Sequence, residues 1–227
     1  MPDLMVNGHK HHYEDVGEGI PMVFIAGTRF DAARLWVDYM REHATGFRMI
    51  MPDLRGMADS EHVTDIEPAD WVRDLGGFLD QIGIDSIHLA AETLGTRVVT
   101  RFAYEHPTRV KSLVLNGAIT YSYAEGDEDR VRQADPANIT AEARERLEYY
   151  HGPEALKVNR FYIDTHAKPE FHQYYDLRAI AESVQTPALI IRGDIDVAVP
   201  VRKLCDAHRI DQRGESRRVA PHQRRRA

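Results

Sequence analysis

Cysteine is nearly absent. Cys205 stands alone among 227 residues, so no internal disulfide can brace the fold, and the chain does not read as a secreted, stapled scaffold. Nothing around Cys205 resembles a reactive-thiol signature. Long apolar runs are also missing: no segment approaches the ~20 residues that a membrane helix needs. The first eight residues carry neither the basic stretch nor the apolar run of a signal peptide. A cytoplasmic protein without a membrane partner is the expectation. Positive charge is not in excess, and the formal net charge of -7 disfavours attraction to phosphate backbones, so nucleic acid is not an expected partner. No G-x-G-x-x-G or Walker-type loop follows a strand-like run, which argues against dinucleotide or nucleoside triphosphate binding. His9, His11 and His12 cluster near the N-terminus, but no carboxylate or cysteine stands at ligand spacing to them. Neither cofactor nor metal is expected.

Apolar residues make up 43% and charged residues 29% of the chain, a globular balance, and the length suits one α/β domain with an insertion. Continuous apolar runs at 22–26, 47–51, 87–91, 110–115 and 188–191 alternate with helical patterns at 31–43, 67–82 and 95–106. Runs of that kind fit strands covered on both faces, as in a doubly wound, mostly parallel sheet. Asn7-Gly8 predicts a tight hairpin ahead of that sheet. About seventy residues separate the strand ending near Asn116 from the one starting near Pro187, too many for a simple connection. The reading is a core of residues 1–118 and 186–204, a mostly helical cap over 119–185, and an atypical basic tail over 205–227. Thr140 is placed to cap the helix that follows it. Tyr121, Tyr123, Tyr149, Tyr150, Phe161, Tyr162, Phe171, Tyr174 and Tyr175 could line a pocket, although aromatic residues at helical spacing more often serve packing. Seven arginines lie from Arg209 onward, with no run able to form a buried strand.

Three local sequences carry a resemblance. Ile25-Ala26-Gly27-Thr28 follows the first parallel strand, Trp36 lies in the next helix, and Asp53-Leu54-Arg55-Gly56-Met57-Ala58-Asp59-Ser60 follows the second parallel strand. The last is similar to an Asp-x-Arg-Gly-x-Gly-x-Ser loop, with Ala58 in place of the second glycine. After the run 87–91 comes Ala91-Glu92-Thr93-Leu94-Gly95-Thr96, in the strand-to-helix context of a Gly-x-Ser-x-Gly nucleophile elbow. From about Gly8 to Pro200 the chain resembles the α/β-hydrolase family.

That resemblance implies a nucleophile at Thr93, where the family more often has another residue, and an orienting acid at Asp196 in Gly193-Asp194-Ile195-Asp196. It implies a histidine base after one more strand and helix. His222 lies 26 positions past Asp196 and is the candidate, although no Gly-His dipeptide follows the acid. Oxyanion donors would be the backbone N–H groups of Thr28 and Leu94. Two readings follow. In one, the chain hydrolyses an ester, lactone or related acyl bond of a small molecule. In the other, it is a catalytically inactive relative that binds a small apolar ligand or a protein partner, as the β-branched Thr93 and Ala26 in place of the loop histidine suggest. A third expectation concerns the C-terminus alone: if the segment after about Val201 is altered or truncated, the last strand and helix are missing and 188–191 becomes an open sheet edge.

Overall fold

Successive side chains of a strand point to opposite faces, and here both faces find apolar cover. A computed structural model of the chain describes residues 3–27, 29–119, 132 and 135–193. Its strands are β1 (Asp3–Val6), β2 (His9–Val16), β3 (Ile20–Ile25), β4 (Phe47–Pro52), β5 (Ile87–Glu92), β6 (Val110–Asn116) and β7 (Ala188–Ile191). The longer helices are α1 (Val37–His43), α2 (Asp70–Gln81), α3 (Leu94–Glu105), α4 (Ala141–His151), α5 (Ala155–Ala167) and α6 (Pro169–Tyr174). Val23 and Ile25 of β3 pack with Trp71, Leu75 and Phe78 of α2 and with Val98 and Phe102 of α3. Phe24 and Ala26 turn the other way, toward Trp36, Val37 and Met40.

One seven-stranded sheet results, in the order β1-β2-β4-β3-β5-β6-β7. From β4 to β7 every neighbouring pair is parallel, whereas β1 pairs β2 and β2 pairs β4 antiparallel. The hairpin turns at Asn7 (φ 51°) and Gly8 (φ 84°), the left-handed pair that a two-residue turn requires. Among the described residues β7 is the sheet's last strand; Ala188 and Ile190 face the core while Leu189 and Ile191 are exposed. Also among the described residues, no helix is long and apolar enough to cross a membrane.

The helix expected over 31–43 starts instead as a 3-10 turn, Ala33–Trp36, before α1. The cause is long-range: the Ala33 N–H donates to Asp53 Oδ1 at 2.8 Å, which ties the helix start to the loop after β4. Thr140 does cap α4, its Oγ1 accepting from the Ala143 N–H at 3.1 Å.

The helical segment 135–183 shares the main core. Phe161, Phe171 and Tyr175 join the cluster around Trp71, with the Trp71 and Phe171 rings edge-on at 5.5 Å. Gly56 lets this happen, because a Cβ there would stand 2.2 Å from Phe161 Cε1. Beneath it, Arg55 is buried and clamps Asp74 with two bonds, Nε to Oδ2 at 2.8 Å and Nη2 to Oδ1 at 2.5 Å. Asp70 accepts a third bond from the same guanidinium, and the Asn7 amide in the hairpin turn donates to Asp74 as well. A buried charge pair of this geometry fixes the 53–74 loop to α2 and to the hairpin.

Candidate active site

The elbow forms where β5 runs directly into α3. Thr93 sits at φ 44°, ψ -113°, a left-handed conformation that a β-branched residue adopts at a cost of order 1–3 kcal/mol. Its surroundings hold it there. The Thr93 N–H donates to the Asn116 carbonyl at 3.0 Å, and its own carbonyl accepts from the Thr96 N–H at 3.1 Å and the Thr96 hydroxyl at 2.5 Å. Thr96, bulkier than the elbow pattern favours, thus closes the first turn of the helix and in addition accepts from the Ile119 N–H. Gly95 must be small, since a Cβ on it would stand 2.8 Å from Ile25 Cγ2 and 3.0 Å from the Ile25 carbonyl oxygen. Leu94 opens α3; as a first-turn N–H it has no acceptor within the helix and points its dipole at incoming negative charge. Chemically, the junction presents a hydroxyl beside a helix N-terminus.

Of the five residues that the sequence assigns to the site, Thr93 and Leu94, neighbours in the chain, are the two among the described residues. Thr28, Asp196 and His222 lie outside the described residues, as do Asp194, Cys205, Tyr121, Tyr123 and the arginine-rich tail.

Three carboxyl groups stand around the elbow without a role assigned from the sequence. Asp31 accepts from the Gly27 N–H and the Ala32 N–H, each at 2.9 Å, and from Trp36 Nε1 at 2.9 and 3.1 Å. Burial pushes its carboxyl above the ordinary range, against the pull of those three donors. Glu92 is raised by burial too, and its carboxylate accepts from the Asn116 amide at 2.5 Å. Asp53 is pushed up to about 7 by burial, although backbone N–H groups of Ala33 and Asp59 lower it. A small cavity of about 10 Å³ is lined by Ala26, Gly27, Asp31, Asp53 and Met57. A larger surface groove, about 470 Å³, is lined by Arg73, Arg101, Glu170 and Tyr174 and includes no elbow residue.

His151, the last residue of α4, joins two loops of the site. Its Nδ1 accepts from the Ala58 N–H at 3.1 Å and its Nε2 faces the Arg29 carbonyl at 2.8 Å, a pattern that only the neutral Nε2–H tautomer satisfies. Burial lowers its pKa to about 4.

Folding also brings carboxylates from other elements to the N-terminal histidines, and Glu14 stands beside His12 in the same strand. His9 meets Glu61, His11 lies 3.5 Å from Asp74, and His12 stands between Asp3 and Glu14. His12, Asp53 and Asp59 each bring one potential ligand atom within 4.8 Å of the others. That donor set is already engaged, because Asp59 pairs with Arg34 at 2.8 Å and Asp53 accepts two backbone N–H groups.

Residues 21–150 match the sequence profile of the alpha/beta hydrolase fold family. The chain is 31% identical over 124 residues to a 2-hydroxy-6-oxo-2,4-heptadienoate hydrolase of Pseudomonas putida, a match covering 53% of this chain and 45% of that protein. It is 32% identical over 120 residues to epoxide hydrolase 2 of Siraitia grosvenorii, covering 49% and 36%. The chain thus matches less than half the length of these relatives. Among solved structures, a meta-cleavage product hydrolase from Pseudomonas fluorescens superposes with TM-score 0.73 at 20% identity, covering 92% of this chain and 85% of that one. An enol-lactonase from Burkholderia xenovorans gives TM-score 0.73 at 20% identity, covering 92% and 87%. At such identities the likeness establishes the fold alone. With more than half of its length matched to the family profile and its sheet shared with these structures, the chain belongs to the α/β-hydrolase fold family.

Proposed function

We propose that the chain hydrolyses an ester, lactone or related acyl bond of a small molecule, with Thr93 as nucleophile. The observation that carries this reading is the backbone of Thr93, φ 44° and ψ -113° at the strand-to-helix junction, directly before the Leu94 N–H. Attack by Oγ1 on the carbonyl carbon would move the carbonyl electron pair onto oxygen, where the Leu94 N–H and, in the sequence-based assignment, the Thr28 N–H hold it. His222 would take the hydroxyl proton, with Asp196 orienting the ring. The insertion 119–185 would act as the cap that selects the substrate. That relatives at about 30% identity are named as hydrolases of small molecules favours a small-molecule substrate here.

Hydrolysis of short-chain 4-nitrophenyl esters tests the proposal. Thr93→Ala is expected to lower the rate at least ~100-fold, and Thr93→Ser to retain or raise it. Equal rates for wild type and Thr93→Ala remove the nucleophile from the mechanism.

A second reading, a non-catalytic relative that binds a small apolar ligand or a partner, draws on Ala26 in the loop where the family usually has histidine, and on a cavity of about 10 Å³ beside Gly27, room for about one water. Ligand-induced thermal stabilisation without turnover would favour it.

A further inference from the structure

The loop after β3 lies against the elbow. A side-chain carbon placed on Gly27 would stand 3.5 Å from Thr93 Oγ1 and 3.3 Å from Asp31 Oδ2, so Gly27 stands between the elbow hydroxyl and the Asp31 carboxyl. That carboxylate is saturated by its own loop and the helix that follows: Oδ2 accepts from the Gly27 N–H and Trp36 Nε1, Oδ1 from the Ala32 N–H and Trp36 Nε1. Asp31 thus braces the two ends of the segment 27–32. The middle of the segment is held from the insertion. The Arg29 carbonyl accepts from His151 Nε2 at 2.8 Å, and Arg29 Nε donates to Asn159 Oδ1 at 2.9 Å. Both partners are buried, His151 at the end of α4 and Asn159 in α5. On its other side the His151 ring takes the Ala58 N–H. Arg34 fastens the same end of α4, bonding to the Tyr149 and Tyr150 carbonyls and to Asp59.

We propose that the insertion sets the oxyanion loop at Arg29, with His151 and Asn159 as its positioning residues. The inference rests on the acyl-transfer reading above. Rigid peptide planes carry the two anchors, Gly27 to Asp31 and Arg29 to His151, to the N–H between them, the one assigned from the sequence as an oxyanion donor. Such a donor works only when it is aimed before the charge develops, and a displacement of about 1 Å costs about 100-fold in rate. In this role His151 touches neither the substrate nor Thr93; it acts through the loop. Because the same ring also takes the Ala58 N–H, one side chain of the insertion fixes the loop after β3 and the loop after β4 relative to each other.

Three variants separate this role from a merely structural one. His151→Leu removes both ring bonds, His151→Gln offers an oxygen acceptor and an N–H donor in their place, and Arg29→Ala cuts the tie to Asn159 while leaving the carbonyl to His151. Steady-state hydrolysis of 4-nitrophenyl butyrate, melting curves and hydrogen exchange read by mass spectrometry are run on the full chain. His151→Leu is expected to lower kcat about 100-fold with KM within about threefold of wild type. His151→Gln should regain about tenfold of that loss, and Arg29→Ala should lower kcat about tenfold, again with little change in KM. In His151→Leu the peptide over 26–35 should exchange faster than in wild type while that over 94–105 keeps its rate. Should the leucine variant fail to fold, Arg29→Ala decides by the same readouts. Wild-type kcat in the folded variants, a rise in KM at constant kcat, or exchange that is unchanged over 26–35 or quickened equally in both peptides overturns the role. A wild-type protein that never acylates at Thr93 overturns the acyl-transfer reading itself; the exchange comparison still reports whether His151 holds the loop, so the two failures are distinguishable.

Discussion

Ala58 and Thr93 share a backbone angle and little else. Both are non-glycine residues held at a left-handed φ, 45° and 44°, and both stand in loops at the carboxyl ends of parallel strands. Ala58 is held from outside the loop by His151, which takes its N–H, and within the loop by His62, whose Nε2 faces its carbonyl at 2.8 Å. Thr93 is held by its own sheet and helix, through Asn116 and Thr96. The methyl of Ala58 gains nothing from the geometry, whereas the same twist at Thr93 sets a hydroxyl next to a helix N-terminus and across Gly27 from Asp31. Strain alone therefore does not mark a reactive residue; the groups facing it do.

The clamp around the Ala58 loop depends most on Arg55. Arg55→Ala leaves Asp74 buried without its cation, while Asp70 keeps Arg73, and is expected to destabilise the fold by about 3–5 kcal/mol, read from denaturant unfolding. The same change leaves the hydrogen bonds that set the Thr93 backbone in place, so φ strain at the elbow should outlast loss of the loop in any variant that still folds.

Next in size is the pH response of the His151 clip. Its folded pKa of about 4 lies below the ordinary histidine value of about 6.5, so the unfolded chain binds the extra proton between those values. The contribution is fully present above about pH 6.5 and is lost as pH falls toward about 4, by about 3 kcal/mol in all. Asp53, raised to about 7 by burial, acts with the opposite sign over much of the same window. The expectation therefore concerns a difference: wild type minus His151→Gln, whose side chain does not titrate, should lose stability as pH drops from 6.5 to 4. A flat difference curve would show that the ring is not held neutral.

The smallest effect separates the two strained residues most cleanly. Ala58→Gly should stabilise by about 1 kcal/mol by relieving the left-handed penalty and leave ester hydrolysis unchanged. Thr93→Gly should relieve similar strain and abolish hydrolysis.

Much of this architecture is legible in the residues themselves. Apolar runs at 22–26, 47–51 and 87–91 mark strands because a sheet covered on both faces has no polar face to alternate with, and Asn7-Gly8 marks its hairpin because few residue pairs accept two left-handed angles. Small Ala91 and Gly95 around Thr93 mark the elbow, where Gly95 touches Ile25. Pairings across long sequence distances are not legible: His151 meets Ala58 at a separation of 93 residues, and His9 and His11 meet Glu61 and Asp74, which folding delivers. Asp31 lies between these cases. Its partners at 27, 32 and 36 are local, yet its approach to Thr93 depends on β3 and β5 lying side by side. Of the insertion's aromatics, for which packing is the more usual role and a pocket the other, Phe161, Phe171 and Tyr175 belong to the core, Tyr149 is exposed and Tyr174 lines the surface groove.

Mapping the acyl adduct bears most directly on Thr93 as a nucleophile. After brief mixing with 4-nitrophenyl butyrate and acid quench, peptide mass spectrometry should find one butyryl group on the peptide containing Thr93, and none in Thr93→Ala. Hydrolysis at the same rate by Thr93→Ala, or an adduct located on a different residue, would be incompatible with attack from the elbow.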